Sequence, residues 1–579
     1  MNLIEKAKEQ ISSLIAEAYR AAAAAGELPG GAELGGGVEI PRESGNGDYA
    51  ANHAMTAARA LRQSPRKIAD ALLKHMNLEG SWFDSAEAAG PGFLNFRLGK
   101  KWYADVLENV AAEGKDYGRT DALKGKKIMV EFVSANPTGP MHMGNARGGV
   151  LGDALAEVLS RAGAEVWREF YVNDAGNQIH KFALSLEARY LQIAGQPDFP
   201  FPEDGYHGDD IRELAQGYLD EHGDALASVS PEERQQALAD YGLARNLPKM
   251  KADLARYGIQ YDRWFSELSL HESGYVAETV EKLTALGFTY EKDGALWLAT
   301  SRILGEKLRA AGKKPEDIEK LGLKDDVLRR ANGFYTYFAS DIAYHRDKLE
   351  RRGYDLAIDV WGADHHGHVA RLKAALDALG LDGEHRLEIV LMQLVRLMRD
   401  GEVVRMSKRT GKAISLSDLL DEIPVDAARW FFNAKAESQM DFDLDLAVRQ
   451  DSENPVYYVQ YAHARICTLL STLAEEGLTV PAPAEADLGL LDSPYERELI
   501  KLLSGLPEEL RIAARDRNPN RISGYVSSLA AGFHKFYTEC RIKGTEPDIA
   551  RARLLLASCT RQVIENSLSI LGVSAPEKM

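Results

Sequence analysis

The stretch from residue 128 to residue 172 constrains the fold of this chain more tightly than any other. Residues 128–133 are a short β-rich run and 134–139 are turn-rich. Val150, Leu151, Ala154, Leu155, Val158 and Leu159 then recur at helical spacing. Gly163 supplies a helix stop, and 165–172 is a second β-rich run. Strand, loop, helix and strand make a βαβ unit, which predicts an α/β fold built on a Rossmann-like parallel sheet.

Around this unit the pattern divides the chain in three. Residues 1–122 read as a small α/β domain, with an amphipathic helix near 3–24, a Gly-rich loop and strands over 77–98. Residues 123–425 carry the parallel sheet, interrupted over about 196–323 by a charged, mostly helical insertion with strand-like pieces near 287–299. Sheet character returns at 335–343 and 355–361, and the strands 387–398 and 402–406 flank Asp400-Gly401, a two-residue hairpin signal. From 426 to 579 the pattern is that of an all-helical domain.

Composition excludes some classes. The three cysteines, Cys467, Cys540 and Cys559, form no CxxC pair, which points away from a zinc ribbon and toward a reducing, cytoplasmic setting. No run approaches the length of a membrane span. The net charge is −17, from 70 Lys and Arg against 87 Asp and Glu. That argues against non-specific nucleic-acid binding but leaves room for a basic face.

Two segments carry chemistry. The first, Pro137-Thr138-Gly139-Pro140-Met141-His142-Met143-Gly144-Asn145, joins a strand to a helix start, where backbone N–H groups attract phosphate. His142 can donate to a phosphate oxygen, and Gly144 permits close approach. The segment lacks the dinucleotide and P-loop glycine patterns. The second, Arg405-Met406-Ser407-Lys408-Arg409-Thr410-Gly411-Lys412, places several cations on a Gly-containing loop. A lysine there stabilises charge that builds on a departing pyrophosphate. Each has a plain alternative, a tight turn and a solvated basic loop.

Together they resemble the HIGH and KMSK signatures of the class I aminoacyl-tRNA synthetases. Asn145 replaces the second histidine of the first, and Arg405 the first lysine of the second. The resemblance implies catalytic roles for His142, Asn145 and Lys408, and ATP contacts from Pro140, His142, Gly144, Asn145, Gly362, Asp364, Met406, Ser407 and Lys408.

The flanks narrow this to the arginyl-tRNA synthetase family. Segments 130–140, 173–178, 337–344 and 360–367 and the ending 571–579 all resemble it. A guanidinium is planar, always charged and rich in donors, so it needs carboxylates and a flat partner. The resemblance implies that Glu131, Asn136, Tyr337 and Asp341 line the arginine pocket, with Asn136 on the α-amino group. It further implies ATP as substrate with Mg²⁺ accompanying it, L-arginine and tRNA(Arg) as partners, and an arginyl-adenylate intermediate. The N-terminal domain would meet the tRNA elbow and the helical domain the anticodon. No membrane association is expected, and a monomer is.

Two further features remain. Asp364-His365-His366-Gly367-His368 looks like a metal site, but it sits at a strand's C-terminal edge, where a nucleotide is the expected ligand and no metal is. Tyr457, Tyr461, Arg465 and Met579 are candidate tRNA contacts; the aromatic spacing also suits an ordinary core helix. The rivals to this reading are a class I nucleotidyl-transferring ligase that uses no tRNA, a catalytically silent tRNA-binding paralogue and a metal hydrolase.

Overall fold

A computed structural model of the chain describes residues 2–363, 366–404, 414–434 and 439–579. At its centre five strands lie in the order β5-β4-β1-β2-β3, all parallel: β1 (Lys127–Glu131), β2 (Glu165–Val172), β3 (Arg263–Ser266), β4 (Leu356–Gly362) and β5 (Leu387–Met392). The connection after β1 runs through helix α1 (Met143–Arg161), whose apolar residues at the predicted spacing are all buried. Gly152 is the close-approach point: a Cβ there would lie 2.1 Å from the Phe132 ring. The chain leaves β1 toward β2 and β3 on one side and returns to β4 and β5 on the other. The gap between β1 and β4 is therefore the switch point, where open α/β sheets bind ligands beyond the strands' C-terminal ends.

Three parts differ from the sequence reading. Residues 335–343 are not a strand. Helix α2 (Tyr337–Arg346) begins there, capped by Thr336, whose side chain accepts from the Ala339 amide. Eight of its ten residues are buried, so no polar stripe marks its helical period. The long strand expected over 387–398 breaks at Gln393-Leu394. Its first half is β5; its second half, Val395–Arg399, forms the hairpin with Glu402–Val404 around Asp400 (φ 51°) and Gly401 (φ 78°). Third, the helical region contains a strand, Met440–Asp443, parallel to Val395–Arg399. The stretch read as an insertion also returns β3 to the central sheet.

Residues near the N-terminus form an antiparallel four-stranded sheet, in the order Val38–Glu39, Tyr49–Ala51, Phe93–Leu98, Phe83–Ala89, against helix Leu3–Ala24. The buried Tyr117 hydroxyl that follows donates to the Leu503 carbonyl at 2.9 Å, joining this region to the C-terminal helices. Those include α4 (Val425–Ala434), α5 (Pro455–Glu475), α6 (Asn520–Glu539) and α7 (Pro547–Ile570). Buried Arg429 of α4 donates to the carbonyls of Leu571 (3.0 Å) and Tyr257 (3.1 Å) and pairs with Asp153 of α1.

Candidate active site

A cleft of about 1040 Å³ opens at the switch point, beyond the C-terminal ends of β1, β2, β4 and β5. It brings together Glu131, Asn136, Pro140, His142, Asn145, Asp341 and Gly362, residues drawn from three separate segments of the sequence.

One end of the cleft is the helix-start loop. His142 precedes α1 as its N-cap, and its backbone amide donates to Asn145 Oδ1 at 3.1 Å. Asn145 thus closes the first turn like a capping-box residue, while its side chain faces the cleft. Gly144, in the same turn, has open space where a Cβ would stand. This loop is tied to the chain beyond the second motif: the Met143 amide donates to the Ile414 carbonyl (3.1 Å) and the Leu416 amide to the Met141 carbonyl (2.9 Å). Met406, Ser407, Lys408 and Asp364 lie outside the described residues. What the structure places is the downstream flank, Ile414–Leu416, hydrogen-bonded to the first motif.

The other end is acidic. Asp341, on α2, has a side chain 35% exposed to the cleft and accepts from His368 Nε2 at 2.9 Å. His368 belongs to α3 (His366–Ala378). Its Nδ1 faces the Arg371 guanidinium at 3.5 Å, and a guanidinium only donates, so the hydrogen sits on Nε2 and points at Asp341. This member of the histidine cluster therefore serves Asp341. Glu267, just past β3, is buried, and its Oε2 has no hydrogen-bond partner among the described residues. Burial, and then the charges of Glu267, Asp341 and Glu131, push the Tyr171 hydroxyl well above its usual range.

Below the cleft floor lies an arrangement with no counterpart in the sequence reading. In the parallel register Glu131 of β1 stands opposite Asp359 of β4 and Glu169 of β2, so three carboxylates form one row across the sheet. All three are buried, and like charges side by side oppose folding. The compensation comes from α2 and a π-helical turn that continues it, Asp347–Arg351. Lys348 Nζ donates to Glu131 Oε2 (2.6 Å) and Asp359 Oδ1 (2.9 Å), His345 Nε2 lies 2.7 Å from Asp359 Oδ2, and Arg352 pairs with Glu169. Burial would raise Asp359, but Lys348 and His345 outweigh it and bring the carboxyl down to about 2. Burial pushes Glu131 up, against the pull of Lys348. Glu131, His345 and Asp359 are close enough to suggest a metal cage, but the Lys348 ammonium already stands among them.

Glu131 also accepts from Ser134 Oγ at 2.9 Å, and Ser134 Oγ in turn accepts from the Tyr171 amide at 3.1 Å. The turn held this way is strained. Val133 has φ 70° and Ser134 φ 43°, with the Ser134 amide donating to the Phe132 carbonyl at 3.0 Å. This left-handed γ-turn is rare, and rarer still on a β-branched residue, at a cost of about 1–3 kcal/mol. Two residues on, Asn136 faces the cleft with its Oδ1 accepting from Asn173 Nδ2 at 2.8 Å.

Tyr337 stands apart from the residues lining the cleft. It is 46% exposed, and its hydroxyl accepts from the Asn177 amide at 2.8 Å, so it braces the loop after β2. The sequence reading missed Lys348, Ser134, Glu267 and the role of His368. Asp341, His345 and Lys348 fall at i, i+4 and i+7, one face of a helix. Reading 335–343 as a strand hid that signal.

At the far end, Tyr457 and Tyr461 stack with ring planes 5° apart, Arg465 lies over Tyr537 at 4.0 Å, and His534 of α6 stacks on Tyr461. The residues of α5 that pack inward are others, Val456, Val459, Ala462 and Ile466 among them. Tyr461 and Met579 are exposed.

Comparison with known proteins finds three family models that match parts of the chain. The family models are the arginyl tRNA synthetase N terminal domain over residues 6–98, the catalytic domain of class I (R) tRNA synthetases over 106–198, and the DALR anticodon binding domain over 459–579. The arginine--tRNA ligase of Acetivibrio thermocellus is 50% identical, and that of Caldanaerobacter subterraneus subsp. tengcongensis 51%, each over 100% of both chains. The Thermus thermophilus arginyl-tRNA synthetase structure superposes with a TM-score of 0.72 at 22% identity, covering 99% of this chain and 100% of that one.

Proposed function

Because the chain belongs to the arginyl-tRNA synthetase family, we propose that this cleft carries out both steps of joining L-arginine to tRNA(Arg) at the expense of ATP. The observation that carries the reading is the polarity of the cleft, with a phosphate-attracting helix start at one end and the Asp341 carboxylate at the other.

Arginine lies with its guanidinium at Asp341, in the potential deepened by the unpartnered Glu267 oxygen. Glu131, already matched by Lys348, offers acceptor lone pairs rather than net charge. Asn136 holds the α-amino group, and Tyr337 braces the wall through Asn177. ATP lies along Pro140–Asn145 and the β4 end at Gly362, with Asp364, Met406, Ser407 and Lys408 completing its contacts. The arginine carboxylate attacks the α-phosphate in line, giving arginyl-adenylate and pyrophosphate. The protein contributes position and charge stabilisation, as in phosphoryl transfer generally: His142 and the α1 amides on the phosphates, Lys408 on the leaving pyrophosphate. The tRNA 3′-terminal ribose hydroxyl then attacks the adenylate carbonyl and releases AMP. Mg²⁺ enters with ATP. Asp210 and Asp418 on the cleft wall are hard oxygen donors of the kind a hydrated Mg²⁺ accepts, and the ion would spread phosphate charge.

The tRNA contacts proposed for the helical region are Tyr457, Tyr461, Arg465 and Met579, supported by the stack of half-buried Tyr457 on exposed Tyr461, which suits unpaired bases. We assign residues 1–122 to the tRNA elbow, 123–425 to catalysis and 426–579 to the anticodon, in a cytoplasmic monomer. Among the described residues no helix is long and apolar enough to cross a membrane. The deciding experiment is aminoacylation of tRNA by the purified protein with each amino acid in turn. Arginine alone should be charged; charging of lysine or glutamine without arginine would overturn the pocket.

A further inference from the structure

We propose that Lys348, a residue that does not line the cleft, is a positioning residue for arginine: it fixes Glu131, which through Ser134 locks the strained turn that presents Asn136. The inference rests on the reading of Asn136 as an arginine contact.

Each link is in place. Lys348 is fully buried, and it stands in the π-helical turn at Asp347–Arg351. Such turns are rare and gather at functional sites. Lys348 holds Glu131 Oε2, and the other oxygen, Oε1, accepts from Ser134. Ser134 is second in the pair of left-handed residues, Val133 and Ser134, and its hydroxyl is the only side-chain group of that pair able to hold the turn by hydrogen bonding. An L-residue at positive φ persists only where its surroundings over-determine it. Without Lys348, Glu131 is an unpaired buried acid. It takes up a proton or swings away, and either change loosens the Ser134 contact.

The two ends of the cleft are anchored separately, and this gives the test its resolution. The ATP loop is tied by Met141 and Met143 to Ile414 and Leu416, none of which belongs to the Lys348 chain. A general loosening of the fold would disturb both ends, whereas loss of this chain disturbs the arginine end.

Lys348→Met alone strands two buried carboxylates, so the variant to use is the charge-balanced Lys348→Met/Asp359→Asn. Asp359→Asn alone is the control for the His345 side, and Asn136→Ala tests the reading underneath. Steady-state aminoacylation is measured with arginine and with ATP as the varied substrate. The paired variant should raise the arginine KM by about tenfold or more over Asp359→Asn, with the ATP KM within about twofold. Ser134→Ala should raise it comparably, and combining the two should add little, because both cut one chain. Lys348→Arg should restore most of the loss. Additive effects, or equal shifts in both KM values, overturn the proposal. So does an unchanged arginine KM in the paired variant while Asn136→Ala raises it. An unchanged KM in Asn136→Ala instead sinks the assignment of Asn136. Should the paired variant not be recovered folded, Ser134→Ala, at the solvent side of the same chain, decides: an unchanged arginine KM refutes the lock.

Discussion

Replacing Asp341 by Asn removes one charge from the cleft and little else. The side chain keeps its shape, and the amide oxygen still accepts from His368 Nε2, whose hydrogen is fixed there by Arg371 on the opposite ring nitrogen. What is lost is the charged half of a carboxylate–guanidinium contact. A hydrogen bond to a charged group contributes about 1.5–3 kcal/mol, and each 1.4 kcal/mol is about a factor of ten in affinity. Asp341 is 35% exposed, which screens the pair and favours the lower half of that range. The arginine KM should therefore rise about 10- to 50-fold. The guanidinium lies at the far end of the substrate from the reacting carboxylate, so its contact is made equally in the ground and transition states. Its loss should appear in KM with kcat nearly unchanged. The ATP loop has its own anchors at Ile414 and Leu416, so the ATP KM should stay level. Aminoacylation kinetics with each substrate varied supplies both numbers, and the preference for arginine over citrulline, its neutral isostere, should narrow in parallel. An arginine KM within twofold of wild type, or an ATP KM that climbs with it, would refute the placement of the guanidinium.

Four other outcomes follow from the same structure. Arg429→Met should leave Asp153 with only the longer Arg168 contact (3.4 Å) and two carbonyls without donors at the junction of α1, α4 and the C-terminal segment, costing about 1–3 kcal/mol in urea denaturation; a loss under about 0.5 kcal/mol would mean the junction is held elsewhere. Asp359 is held down to about 2 in the fold, below its unfolded value of about 3.9, so its ionised form stabilises the protein above that unfolded value and the contribution fades as pH falls toward 2. The unfolding free-energy gap between wild type and Asp359→Asn should therefore be full at pH 5–7 and shrink by about 2 kcal/mol on going to pH 2–3; a pH-independent gap contradicts the ion-pair account. Asn145→Ala should fray the start of α1 by about 1 kcal/mol and lower kcat more than it raises the arginine KM; an arginine-specific effect would misplace it. Tyr461→Ala should raise the tRNA KM while arginine-dependent ATP–pyrophosphate exchange at saturating tRNA stays near wild type; an unchanged tRNA KM removes the tyrosine stack from the interface.

The βαβ unit could be read in advance because β1 is short with an apolar centre, and α1 repeats apolar residues at helical spacing from Val150 to Leu159. Glu131, Asn136, His142, Asn145, Asp341 and Gly362 could be named through the resemblance of their segments to the class I and arginyl-tRNA synthetase motifs rather than from local pattern, and the cleft brings them together. The failures also have physical causes. Helix α2 is buried nearly all round, so it carries no amphipathic signature. Strand Met440–Asp443 is four residues long and owes its existence to a partner over forty residues away. The break at Gln393-Leu394 depends on two sheets meeting, which no local period encodes.

The deepest gap concerns charge, and it bears on specificity. From sequence, Glu131 and Asp341 are equivalent acids awaiting a guanidinium. The register of β1, β2 and β4 makes them different. Glu131 belongs to a row of three buried carboxylates that need internal partners, and Lys348, His345 and Arg352, from α2, its π-helical continuation and the residue that follows, meet them. Once matched, Glu131 attracts a substrate cation weakly at long range. Asp341 accepts from His368 Nε2 and pairs with no lysine or arginine among the described residues. On the proposed reading, selection of a guanidinium then rests on Asp341. The paired one serves geometry, and for that reason Glu131→Gln should disturb arginine binding less than Asp341→Asn.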